Sequence, residues 1–144
     1  MRANKARDTT PELAIRKILH AAGYRYRVDF APDPSTRRRR ADLVFTRVRL
    51  AVFVDGCFWH GCPIHGTIPI RNRDYWEPKL LKNIERDLAT TESLRGIGWS
   101  VLRIWEHVAP TDAARTIIDE VTRLRAPDGI VHVDRSAHPT KELD

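Results

Sequence analysis

Apolar residues change their spacing several times along this chain, and the changes mark out alternating helices and strands. Leu13, Ile15, Ile18, Leu19 and Ala22 supply one apolar helix face. Thr9 and Thr10 ahead of Pro11-Glu12 give that helix its start, and Gly23 gives it its end. Tyr24, Tyr26, Val28 and Phe30 then alternate with Arg25, Arg27 and Asp29, the pattern of a half-buried strand with a charged outer face. Ala31 to Arg40, with two prolines, reads as a loop. Ala41 to Phe45 and Leu50 to Val54 are apolar runs joined by a short basic turn, and both predict buried strands.

The second half repeats the alternation. A helix is expected from about Trp76 to Leu94, with Pro78 in its first turn and Gly96 and Gly98 ending it. Trp99 to Trp105 predicts a further buried strand, and Thr111 caps a last amphipathic helix to about Leu124. The order α-β-β-β-α-β-α implies an α/β fold, a mixed sheet flanked by helices. Residues 1–125 are expected to form one domain. Residues 126–144 form a C-terminal tail, with Ile130 to Val133 a short edge strand or without fixed structure.

Composition narrows the setting. At 144 residues the chain can bury one core without disulfides, and it has neither a membrane-length apolar run nor the layout of a signal peptide. A soluble, reducing, cytoplasmic protein is expected, in which two cysteines five positions apart are metal ligands or core thiols before they are a disulfide. The formal charge of +6 is unevenly placed: residues 1–50 carry 13 Lys/Arg against 5 Asp/Glu, so the first third holds the whole excess. Such clustering suits a phosphate polymer, although a solvated basic face gives the same count.

The chemistry concentrates around residues 42 to 65. Asp42 opens an apolar strand, where a carboxylate is costly unless it is paired or binds a cation. Asp55 ends the next strand and Glu12 lies in the first helical turn. If the three converge, they could hold Mg²⁺ through oxygen ligands. Glu12 equally suits a capping role and Asp55 a turn. Cys57, Cys62 and His65 have loop spacing for one zinc ion, with His107 preferred over His60 as fourth ligand; two buried thiols without metal are the alternative. His60, if free of zinc, can take a proton from water. Phe58, Trp59 and Trp76 can stack on bases or wedge between them, or simply pack.

Those residues, read in order, resemble the very-short-patch-repair (Vsr) endonucleases. The likeness runs through Met1-Arg2-Ala3, Arg7-Asp8-Thr9-Thr10-Pro11-Glu12, Ala41-Asp42-Leu43-Val44-Phe45 and Gly56-Cys57-Phe58-Trp59-His60. It continues through Tyr75-Trp76, Lys82 to Asp87, Gly98 to Leu102 and Trp105-Glu106. The resemblance implies a restriction-endonuclease-like fold with a structural zinc site. It also implies Mg²⁺-dependent nicking of duplex DNA 5′ of the thymine in T·G mispairs, which arise when 5-methylcytosine deaminates.

By position, Asp42 resembles the metal-binding aspartate, His60 the general base and Glu12 its supporting acid. Val54 matches a backbone carbonyl ligand of magnesium. Phe58, Trp59 and Trp76 resemble the aromatic wedge, and Met1 and Arg2 fall in the DNA-binding arm. Asp55 stands where the better-known members carry histidine, so it either ligates magnesium or orients His60. The zinc set Cys57, Cys62, His65 and His107 is Cys₂His₂ where others have Cys₃His. Arg37, Arg38, Arg39 and Arg40 replace a Pro-Gly turn and read as a phosphate clamp or a solvated loop.

The expected substrate is therefore duplex DNA with a T·G mispair, acted on by a nucleoid-associated monomer. Mismatch-repair or cytosine-methyltransferase association is implied by the resemblance alone. Two rivals are a restriction-type or structure-specific nuclease with another target, and a non-catalytic zinc-stabilised DNA-binding module.

Overall fold

The computed structural model describes residues 10–57, 62 and 73–126. Three helices and four strands follow one another as α1 (Thr10–Ala21), β1 (Arg27–Phe30), β2 (Ala41–Phe45), β3 (Leu50–Asp55), α2 (Arg73–Gly96), β4 (Ser100–Trp105) and α3 (Pro110–Arg125). The strands form one sheet in the order β1-β2-β3-β4. The first three are antiparallel neighbours, and β3 and β4 are parallel. A parallel pair needs a long crossover, and α2 lies in it. This is the α/β mixed sheet flanked by helices that the apolar pattern predicts.

Two apolar clusters explain the layering. Ile15 and Leu19 of α1 join Leu43, Phe45, Leu50 and Val52 of the sheet with Ala113, Ala114, Ile117 and Val121 of α3. Val44, Ala51 and Phe53 group instead with Leu94 of α2. Since Leu50, Ala51 and Val52 are all fully buried, β3 reads as a continuous apolar run with no alternation. By contrast α2 is a mostly polar helix that buries only Leu80, Thr90 and Leu94.

Several boundaries differ from the sequence expectation. The strand starting at Tyr24 is shorter, because Gly23 at φ +93° carries a Schellman closure in which the Tyr24 N–H reaches the Leu19 carbonyl at 3.0 Å. At the end of α2, Gly98, also at φ +93°, repeats that motif: Trp99 N–H donates to Leu94 at 3.0 Å, while Gly96 is still helical.

Helix α2 begins at Arg73, not Trp76, so Pro78 lies inside it and not in the first turn. The missing N–H costs one intrahelical bond there, and a mostly solvated helix can leave the freed carbonyl to water. The cap of α3 is Ala109 with no side-chain bond, and Thr111 is already helical; Pro110, with φ preset for the first turn, makes the start. The tail beyond Ala126 lies outside the described residues. Among the described residues no helix is long and apolar enough to cross a membrane.

Candidate active site and metal centre

The β2–β3 ladder runs from Phe45–Leu50 to Leu43–Val52. Just past its last pair, the Asp42 carboxylate accepts the Val54 N–H at 2.6 Å, so a side chain takes over where a backbone carbonyl would continue the ladder. A strand residue projects its N–H and C=O toward the same edge, which turns the Val54 carbonyl to the Asp42 side as well.

Three other acids surround this point. Glu12, 2% exposed in the first turn of α1, is bonded to Arg16 at 3.0 Å. Asp55, at the end of β3, is bonded to Arg103 of β4 at 3.0 and 3.1 Å. Asp29 lies in β1 between the pairs Val28–Leu43 and Phe30–Ala41, which puts it across from Asp42. It has the left-handed φ of +52°, and Arg40 grips both its carbonyl, at 2.7 and 3.1 Å, and its carboxylate, at 3.2 Å.

Each of these three acids has an arginine, and Asp42 has only the Val54 amide among the described residues. Its electrostatics follow. Burial pushes the Asp42 carboxyl up to about 7; the Val54 N–H opposes this, and the negative charges of Glu12, Asp55 and Asp29 add to it. A buried acid amid like charges, with no cationic partner among the described residues, fits a site that a divalent ion completes through oxygen ligands.

A second cluster of different chemistry starts two residues beyond Asp55. The Cys57 sulfur lies 3.2 Å from His107 Nδ1, and the Cys62 sulfur lies 3.7 Å from the same nitrogen. All three ligand atoms fall within 4.8 Å of one another. Bonds of about 2.3 Å at a tetrahedral zinc put neighbouring ligands about 3.8 Å apart, so this triangle has the size of one face of such a site. Burial and the adjacent Cys62 raise the Cys57 thiol to about 11, so metal entry would have to displace a firmly held proton.

The loop is braced by Cys62 N–H to the Cys57 carbonyl, by Cys57 N–H to Glu106 Oε2 at 3.0 Å, and by Glu106 N–H to the Asp55 carbonyl at 2.9 Å. His107 thus reaches the cysteines because the parallel β3–β4 register sets Trp105 beside Asp55.

The structure therefore brings together Glu12, Asp42, Val54 and Asp55 in one group and Cys57, Cys62 and His107 in another. Met1, Arg2, Phe58, Trp59, His60 and His65 lie outside the described residues. Trp76 is described on the first turns of α2, edge-on to the exposed Tyr75 at 5.0 Å. Arg37 and Arg38 are exposed, whereas the Arg40 guanidinium is engaged with Asp29. Sequence reading missed Asp29, Arg16, Arg103 and Glu106. A detectable signal existed for Arg103, a charge within the apolar run Val101 to Trp105.

Comparison with known proteins places the chain among DNA endonucleases. The family model described as DNA mismatch endonuclease Vsr matches residues 1–65. The chain is 46% identical over 125 residues to the Type II nicking enzyme V.NaeI of Lentzea aerocolonigenes, covering 86% of this chain and 75% of that protein. It is 41% identical over 108 residues to the Type II nicking enzyme V.XorIIP of Xanthomonas oryzae pv. oryzae, covering 74% and 76%. It is 36% identical over 108 residues to the DNA mismatch endonuclease Vsr of Escherichia coli, covering 74% and 66%.

Proposed function

We propose that this chain, which belongs to the DNA mismatch endonuclease Vsr family and is a DNA endonuclease, nicks duplex DNA on the 5′ side of the thymine in a T·G mispair. One observation carries the reading: of four acids gathered at the end of the β2–β3 ladder, Asp42 alone lacks an arginine among the described residues. A carboxylate so placed is a ligand in waiting. Asp42 and the Val54 carbonyl would hold Mg²⁺, with Asp55 and Glu12 shaping the oxygen-rich surroundings. When bound, the ion supplies electrostatic stabilisation of the charge that develops on the phosphodiester.

The chain's own residues do the rest. His60 takes a proton from the attacking water. Phe58, Trp59 and Trp76 wedge into the stack, which a wobble pair yields more readily than a Watson–Crick pair. Met1, Arg2, Arg37, Arg38 and Arg39 hold phosphates; Arg40 takes part to the extent that its grip on Asp29 leaves donors over. Cys57, Cys62, His107 and His65 would hold structural Zn²⁺.

The test is cleavage of paired duplexes carrying T·G or T·A at one position, with product mapping. Nicking of the T·G strand alone, 5′ of the thymine and dependent on Mg²⁺, is expected. Equal cutting of both duplexes removes the mismatch claim. A second reading has a specific support: two of the relatives are named Type II nicking enzymes. On that reading the flanking bases matter as much as the mispair, and a panel of T·G duplexes in varied sequence contexts separates the two.

A further inference from the structure

Arg103 stands out because its guanidinium is used on every side. One terminal nitrogen, Nη1, reaches both Asp55 oxygens at 3.0 and 3.1 Å. Nε donates to the Thr91 hydroxyl at 2.9 Å, and Nη2 donates to the Asp87 carbonyl at 3.3 Å. Its flat face lies 4.1 Å from the centre of the Phe53 ring. It therefore joins β4, the end of β3 and the middle of α2.

The Asp55–Arg103 pair borders a cavity of about 310 Å³ between α2 and the sheet, lined also by Asp87, Leu88, Thr91 and Trp105. A carboxylate beside open space could rotate, and Asp55 directly follows Val54, whose N–H is tied to Asp42. A swing of one residue would bring a second acid onto the Asp42 site.

We propose that Arg103 is a positioning residue of the nuclease site. It pins Asp55 beside Asp42, offsets its charge and keeps it from collapsing onto the cation position, while anchoring α2 to the same node. The inference rests on the reading of Asp42 as the cation ligand. Lysine cannot substitute, because a point charge offers neither the fixed fork nor the flat stacking surface.

The experiment measures Mn²⁺ affinity by EPR, and separately the nicking rate at saturating Mg²⁺ and the KM for DNA. Arg103→Met removes a nearby positive charge and the fork that holds both Asp55 oxygens, so Mn²⁺ should bind about three- to tenfold tighter while nicking slows. A purely structural role would weaken both. The double variant Asp55→Asn with Arg103→Met removes both charges of a buried pair together, and should return Mn²⁺ affinity to within about twofold of the parent.

Arg103→Lys keeps the charge and tests the fork even if Arg103→Met does not fold. Its Mn²⁺ affinity should stay within about twofold and its KM should hold, with nicking down about tenfold. Wild-type nicking by Arg103→Lys overturns the proposal, as does unchanged or weaker Mn²⁺ binding by folded Arg103→Met. Asp42→Asn, run alongside, tests the underlying reading separately: if it still nicks, Asp42 is not the ligand, whatever Arg103 does.

Discussion

The carboxylate group around Asp42 and the sulfur–imidazole group around Cys57 come within two residues of each other in the chain, at Asp55 and Cys57, and are built on opposite terms. The first gathers hard oxygen ligands, neutralises three of its acids with arginines and, among the described residues, leaves the fourth to a backbone amide. The second gathers soft ligands, with two buried thiols closing on one ring nitrogen. Oxygen sites of low ligand count bind magnesium weakly and let it exchange, whereas thiolate and imidazole hold zinc as part of the folded structure. On the proposed reading, the difference teaches that one strand end would serve both turnover and integrity. Glu106 couples them, through its N–H to Asp55 and its carboxylate to Cys57.

The sharpest way to break this division is a crossed pair of variants. Asp42→Asn should lower Mg²⁺-dependent nicking about a thousandfold or more and leave the fold intact, because it deletes a ligand and no packing. Cys57→Ser should do the converse: thermal unfolding shifts down by several kcal/mol's worth of stability, and residual folded protein still binds Mn²⁺ at Asp42. Scanning calorimetry and a nicking time course on the same samples decide it. If Asp42→Asn unfolds the protein, or Cys57→Ser abolishes nicking without a loss of stability, the two groups are not separate in purpose.

Chelation gives the next largest effect. Mild EDTA should stop nicking while circular dichroism and the melting temperature stay unchanged, and added Mg²⁺ should restore cutting. A tighter, zinc-selective chelator should lower the melting temperature, and Mg²⁺ should not restore it. Measured zinc content of about one per chain before treatment, and none after, completes the result. Simultaneous loss of activity and fold at the lowest EDTA concentration would merge the two sites into one.

How much of this could be read beforehand depended on whether the signal was local. The buried strands announced themselves because Ala41 to Phe45 and Leu50 to Val54 are continuous apolar runs. Asp42 stood out as a charge within one of them. Cys57, Cys62 and His107 were legible because few residue types bind metal, although the approach of His107 needs the β3–β4 register.

The arginines were not legible in the same way. Arg16 looks like one more charge on a helix, and Arg40 like one of four in a basic run; only the tertiary structure assigns them to Glu12 and Asp29. Asp29 fitted a polar outer face by alternation, yet the β1–β2 register places it opposite Asp42. Alternation specifies which face a residue takes, and it carries no information about which charge lies opposite. Thr111 and Pro78 misled for a related reason: good capping residues occur near helix starts without defining them.

The smallest effect concerns stability and is the most specific to Asp42. Its carboxyl, near 3.8 in an unfolded chain, is raised to about 7 by burial and by the charges of Glu12, Asp55 and Asp29. Below about pH 4 the group is protonated in both states and folding carries no penalty from it. As pH rises toward 7 the unfolded chain ionises first, so this contribution is lost progressively, and above about 7 folding must bury a charge. Magnesium-free, zinc-loaded protein should therefore lose stability relative to Asp42→Asn between pH 4 and 8. The variant should be about 2 kcal/mol the more stable at pH 8, allowing for the partial exposure of the group, and equal near pH 4. Added Mg²⁺ should narrow the gap at pH 8, since an ion that binds only the folded carboxylate stabilises the parent alone. Urea titrations at the two pH values, with and without Mg²⁺, measure all four points. A gap of the same size at both pH values would mean that Asp42 is not the desolvated acid of the cluster, and the contrast with the cysteine site would lose its electrostatic basis.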